Sequence, residues 1–308
     1  MISPEDLISI PLAEWVDAFV KDWLAPNFRP FFQALKVPIQ SVLNGLDDLL
    51  EWIPMLIFAA GLTGVAWIAA GLGVAIFTLV SLVFIDMIGL WSETMTTFAM
   101  VVTAVLFCVV AGVPLGIAAS RSDRFMRILR PILDIMQTIP SFVYLVPIVM
   151  LFGIGTVPGV IATIIFALPP IVRLTNLGIR NVREDLIEAA HAFGANEWQI
   201  LWEVQLPLAM RTIMAGINQT LMLALSMVVI AALIGAGGLG LTVNTGLGQL
   251  NVGTATAGGI GIVLIAIILD RITQALGEGQ TNRSPSFLKT IASFFRFRGT
   301  RETTERAG

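Results

Sequence analysis

Few side chains in this chain of 308 residues can do chemistry, and their spacing limits what chemistry that is. There is one histidine, His191, and one cysteine, Cys108. That pair cannot build a disulfide framework, a zinc site or a Cys/His cluster within one chain, so neither metal nor cofactor is expected. A Ser-His-Asp triad would have to recruit His191, which stands in a polar segment and reads as a solvated helix residue. Gly235, Gly237 and Gly240 satisfy G-x-G-x-x-G. A dinucleotide site would need a preceding strand, a following helix and an acid about 20 residues on. Here an apolar run of membrane length precedes, and the next acid is Asp270. The glycines are expected to allow close helix approach, or to form an outer gate, at the end of a span. No G-x-x-x-x-G-K-[ST] occurs, and no lysine stands between Lys36 and Lys289. The chain therefore has no P-loop with which to hold ATP, and no enzyme site or nucleic-acid partner is expected.

The densest group of polar side chains is Asn181–Arg211, with five carboxylates, His191, Trp198 and Trp202. Asn181 followed by Glu184 has capping-box spacing and predicts a helix from about 182. Gly194 is placed to end that helix in a left-handed C′ turn. Asn196 followed by Gln199 repeats the start signal, and Pro207 is expected to stop the second helix. Ala189, Ala190 and Ala192 keep the first helix thin, while Trp198 and Trp202, four apart, form an aromatic ridge on the second. Such a helix–turn–helix either rests at a lipid interface or docks a cytoplasmic partner through aromatic anchors and a charged rim.

A second group lies within apolar surroundings: Gln137, Thr138, Pro140 and Ser141, with Asn218 and Gln219 further on. They are candidates to line a translocation path, and interhelical hydrogen bonding is the alternative role for each. Pro140, Pro147, Pro158, Pro169 and Pro170 are expected to interrupt the fourth and fifth spans. No ionisable group falls near the middle of a span. That suits a path for a zwitterion and counts against a proton-coupled secondary transporter, a distant alternative.

These groups must be positioned by membrane helices. The composition is 56% hydrophobic and 13% charged, where a soluble domain carries about a quarter charged residues. The fold class expected is an all-α polytopic membrane protein of about seven spans: 53–70, 72–91, 95–119, 137–153, 157–177, 212–234 and 255–273. Residues 1–50 are acidic and amphipathic, with Trp15, Phe19 and Trp23 on one helical face, either at a membrane surface or packed on neighbouring helices. Arg121, Arg124, Arg127 and Arg130, then Arg173, Arg180, Arg183 and Arg211, then seven basic residues from Arg271 to Arg306, mark cytoplasmic segments. The expected topology has the N-terminus outside and the C-terminus inside, with the 121–130 and 178–211 loops cytoplasmic.

The stretch EAAHAFGANEWQILWEVQLP resembles the EAA loop of bacterial ABC-importer permeases. It has Glu188, Ala189 and Ala190, three residues, Gly194, nine residues, Val204 (where isoleucine is usual), one residue, then Leu206 and Pro207. Met136–Val182 resembles the permeases of glycine betaine/proline betaine importers, and IGAGGLG at 234–240 is shared with related type I permeases. The resemblance implies a type I ABC-importer transmembrane domain whose EAA loop couples to the ATPase. Its implied organisation is an extracytoplasmic N-terminal region at 1–50, two accessory helices at 51–92, a core permease domain at 93–273 with the loop at 181–211, and a basic cytoplasmic tail at 274–308. Implied partners are cytoplasmic ATPase subunits, a separate extracytoplasmic substrate-binding protein, a second permease chain in a homodimer, and the bilayer. The cargo implied is a glycine betaine-type compatible solute, with choline, carnitine or an amino acid as alternatives.

Overall fold

The protein, seen here in a computed structural model, is described at residues 11, 14, 15 and 18–277; the tail from 278 lies outside the described residues. All regular structure among the described residues is helical. A π-helical turn, Phe19–Leu24, leads into α1, Ala25–Trp52. Then come α2, Met55–Ala70; α3, Leu72–Met87; α4, Trp91–Arg121; α5, Asp123–Thr138; α6, Ser141–Phe152; and α7, Thr156–Arg180. The segment of interest supplies α8, Glu184–Ala192, and the short α9, Glu197–Gln199. A π-helical turn, Ile200–Gln205, joins α9 to α10, Leu206–Ala231, and α11, Leu239–Gly248, and α12, Val252–Gly277, complete the order.

Among the described residues, four helical stretches are long and apolar enough to cross a bilayer: Trp91–Arg121, Thr156–Arg180, Glu197–Ile234 and Val252–Gly277. Counting two sharply bent pairs as one span each raises this to at most six, so the expected seven is corrected downward. Helix α3, at the expected span 72–91, accounts for the difference between six and seven. It has 16 residues, about 24 Å at 1.5 Å per residue against a hydrocarbon core of about 30 Å. The expected span 137–153 is not one helix, because α5 and α6 meet at 100°. Ile139, which precedes Pro140, is extended at φ −67° and ψ 128°, as the proline ring demands of its predecessor.

The expected interruption of the fifth span does not occur. Helix α7 runs unbroken through Pro169 and Pro170, both buried. Neighbouring helices enclose these prolines, so the missing donors are tolerated. The tightest packing joins α4, α7 and α10. A Cβ on Gly116 would lie 2.5 Å from Thr175 Cβ, and one on Gly216 would lie 3.1 Å from Leu174 Cβ. Bare backbone on one helix face is thus what lets these axes approach, as small residues do in lipid.

Helix α1 packs on the bundle, whereas Trp15, Phe19 and Trp23, the face read from sequence, remain exposed. Ile39, Leu43 and Leu50 of α1 are buried in the main core with Phe152 and Ile148 of α6. Phe32 meets Phe152 edge-on at 5.4 Å, and Lys36 Nζ donates to the Phe152 carbonyl at 3.2 Å. Helix α1 then turns by 109° into α2, at an extended Ile53 before Pro54.

Candidate functional site

The polar segment is built from two short helices and a turn whose every bond is local. Helix α8 ends in a Schellman arrangement: Gly194 N donates to the His191 carbonyl at 2.9 Å and Ala195 N to the Ala190 carbonyl at 3.0 Å. Gly194 takes φ +85°, the left-handed conformation that glycine adopts cheaply. Two residues later Asn196 and Gln199 exchange reciprocal bonds of 2.9 Å, a complete capping box.

Two expectations about this segment are corrected. Asn181 does not cap α8; its N–H still bonds the Leu177 carbonyl at 2.9 Å as the end of α7. Helix α8 starts later, at Glu184, after Arg183, which makes no side-chain cap. Nor does Pro207 stop the second helix. Glu197–Ile234 is one continuous 38-residue helical run. A proline inside an α-helix removes a donor and crowds the carbonyl four residues back. The wider π-helical turn at Ile200–Gln205, immediately upstream, is the local adjustment that accompanies it.

The segment has two unlike faces. Leu201 and Leu206 are buried with Ile179, Ala209 and Ile213, fastening it to the ends of α7 and α10. On the other side Glu188, Ala189 and Gly194 are exposed, Ala190 and Val204 half-buried, and Pro207 exposed. Trp198 and Trp202 stack with centroids 6.4 Å apart while remaining 68% and 59% exposed. Phe193, at the tip beside Gly194, is 94% exposed. An apolar ring left that open, on a rigid turn, has the character of an interface anchor. The sequence reading passed over Phe193, though its place before the turn glycine was the available signal.

Charged groups brace the segment. Arg121, at the end of α4, donates from Nη1 to Glu197 Oε2 at 2.7 Å and from Nη2 to the Glu197 carbonyl at 3.0 Å. His191 Nε2 lies 3.5 Å from the other Glu197 oxygen, with about half of its side chain exposed, as expected of a solvated helix residue. Arg180 pairs with Asp123 at 2.7 Å and donates to the Ala119 carbonyl. Arg183 binds Asp185 and holds that carboxyl below its ordinary range by hydrogen bonding to the charged form.

The candidate path residues do not form one cluster. Gln137, Thr138, Pro140 and Ser141 fall at the α5–α6 corner, where Thr138 Oγ1 donates to the Ile135 carbonyl at 3.4 Å. Asn218 is engaged with α12: its Nδ2 donates to Asp270 Oδ1 at 3.0 Å. Gln219 is exposed. A cavity of about 250 Å³, unforeseen in sequence, lies between α1 and the start of α7, lined by Lys36, Gln40, Asn44, Asp47 and Thr156.

The glycine run behaves as close-packing backbone. Leu239 N donates to Thr97 Oγ1 at 2.8 Å, Gly155 N to the Ile234 carbonyl at 2.9 Å. A Cβ on Gly238 would stand 2.4 Å from Thr97 Oγ1. The run thereby pins the end of α10 onto the starts of α4 and α7, and no strand precedes it as a dinucleotide site would require.

Comparison with known proteins gives the family. The family described as binding-protein-dependent transport system inner membrane component matches residues 112–281, which include the whole polar segment. The glycine betaine/proline betaine transport system permease protein ProW of Escherichia coli (strain K12) is 56% identical, over 92% of this chain and 80% of its own length. The glycine betaine transport system permease protein OpuAB of Bacillus subtilis (strain 168) is 49% identical, over 89% of this chain and 97% of its own. Among solved structures, the MetNI methionine ABC transporter in inward facing conformations, native crystal form, aligns with a TM-score of 0.53 at 25% identity, over 61% of this chain and 93% of that one. The family model matches more than half of the chain and these relatives are transport permeases, not enzymes: the chain belongs to the binding-protein-dependent transport system inner membrane components, the permease subunits that work with a separate ATPase and a substrate-binding protein.

Proposed function

We infer that the chain is the permease of an ATP-driven importer for glycine betaine and proline betaine-type compatible solutes. The observation that carries the cargo is the 56% identity to the betaine permease ProW across 92% of the chain. Glu188, Ala189, Ala190, Gly194, Val204, Leu206 and Pro207 form the element that docks the ATPase, and closure of the ATPase reaches the membrane through it. The continuous helix 197–234 supports this reading, because a displacement of the docked turn is passed directly into a spanning helix. Two permease chains pair as a homodimer, each with its own ATPase. The polar segment and the C-terminus lie in the cytoplasm, as the distribution of arginines favours.

Uptake of labelled glycine betaine tests the proposal, in a bacterial host stripped of its own osmoprotectant importers and supplied with this chain, a cognate ATPase and a binding protein. Uptake that requires the ATPase and is competed by proline betaine is expected. Uptake of choline or carnitine in place of betaine would overturn the cargo, and uptake that persists with an inactive ATPase would overturn the coupling.

A further inference from the structure

The last apolar helix, α12, carries an acid, Asp270, half-buried beside the exposed Arg271 and one turn before Gln274, towards the polar end of the helix. A half-buried carboxylate is costly unless it is hydrogen-bonded. Its partners come from two helices. Asn218 Nδ2, on α10, donates to Asp270 Oδ1 at 3.0 Å, and Gln274 Nε2, one turn along α12, donates to the same oxygen at 2.6 Å. The Thr273 hydroxyl donates to Asn218 Oδ1 and also lies within reach of the Leu269 carbonyl at 2.7 Å. Since an ionised carboxylate only accepts, the Asn218 amide has one orientation that satisfies both neighbours.

A leucine or valine at these positions would pack in lipid without any desolvation cost. Such interhelical bonds contribute little net stability in a membrane, so stability alone does not explain the set. What hydrogen bonds add to apolar packing is register, because they hold at one relative height of two helices and fail when one slides. Nearby, Gly277 packs so closely on α10 that an added Cβ would stand 2.9 Å from Met214 Cβ. Helix α10 is in turn the continuation of the docking segment.

We propose that Asn218, Asp270 and Thr273 form a latch that locks α12 to α10, so that both move as one body when the ATPase displaces the 181–211 segment. Asn218 and Asp270 act in this latch as positioning residues, and their loss uncouples ATP hydrolysis from transport. The inference rests on the docking role assigned to that segment.

The test uses the complete importer in proteoliposomes, with Asn218→Val, Asp270→Leu, Thr273→Val and the exchange Asn218→Asp/Asp270→Asn. The exchange is informative because the amide then at 270 can donate to the carboxylate at 218 while Gln274 turns its own amide to accept, which keeps the interhelical bond and moves the charge to the other helix. Assembly is read by size exclusion, and labelled glycine betaine uptake is read per ATP hydrolysed. If the wild type carries carnitine in place of betaine, the cargo reading fails while the latch is still measured, with labelled carnitine. Expected are assembled Asn218→Val and Asp270→Leu complexes whose uptake per ATP falls about tenfold, with coupling restored in the exchange. Wild-type coupling in either single variant, or an assembled exchange as uncoupled as the singles, overturns the latch. Should both singles fail to assemble, Thr273→Val decides: a loss of about threefold is expected, and unchanged coupling overturns the proposal.

Discussion

At the tip of the docking turn, Gly194 has open space around it: nothing lies within 4 Å of an added Cβ, and the backbone stands at φ +85°. Harm from a substitution there must come through the backbone or through charge, not through collision within this chain. Left-handed backbone costs most residues about 1–2 kcal/mol, with asparagine and aspartate the usual exceptions. Gly194→Asn should therefore keep most uptake, whereas Gly194→Val loses it by reshaping the turn and Gly194→Asp by placing a charge at the contact. All three should reach the membrane at wild-type levels, as immunoblots of membrane fractions would check. Loss of uptake in Gly194→Asn as well would mean that the partner requires the bare glycine. Phe193 tests the same surface from the other side. Since it is 94% exposed, Phe193→Ala should leave the permease's thermal unfolding unchanged. It should weaken capture of the ATPase subunit by roughly tenfold or more, the scale of an aromatic anchor. Equal capture by both proteins would remove Phe193 from the interface.

At the scale of elements, the brace between α4 and the docking segment makes a separate prediction. Arg121 grips Glu197 through both its carboxylate and its carbonyl, yet the pair is well exposed, with 35% and 68% of the side chains accessible. Exposed pairs of this kind contribute about 0–1 kcal/mol to stability. Arg121→Ala should consequently assemble normally but let the segment swing, so that ATP hydrolysis depends less on the loaded binding protein. Charge exchange, Arg121→Glu with Glu197→Arg, should recover much of that dependence, and an unaltered Arg121→Ala importer would show the brace to be ornamental. The same elements show what a sequence can disclose. The Gly194 turn and the Asn196–Gln199 box were legible because every bond in them is closed within five residues. Asn181 misled because the same asparagine chemistry serves a helix end as well as a start, and only the length of α7, set by its packing on α4 and α10, decides which. Pro207 misled for a similar reason, since a wider turn upstream accommodates it. The Asn218–Asp270 bond spans 52 positions, and the 100° corner at Pro140 turned a hydrophobic run into two helices. Hydropathy counts apolar residues and carries no information on direction.

At the scale of the whole molecule, the described bundle presents one 181–211 segment per chain, and the proposed cycle, driven by two ATPase subunits, requires two such segments to move together. Cyclic pairing is the common way to supply them. Whether the working unit is the pair can be read from gene dosage. If wild-type and Gly194→Val chains mix at random in equal amounts, about one quarter of dimers carry two intact turns. Should both turns be needed, uptake falls to about one quarter of that from the same total of wild-type chain. If each chain worked alone, or if one intact turn could drive its own half, uptake would be about one half or higher. Differently tagged copies provide the control, since recovery of the second tag with the first shows that mixed dimers have formed. A quarter-level result with mixed dimers present would establish the homodimer and the joint action of its two turns in one measurement. Half-level uptake from the same membranes would refute the joint action while leaving the pairing in place.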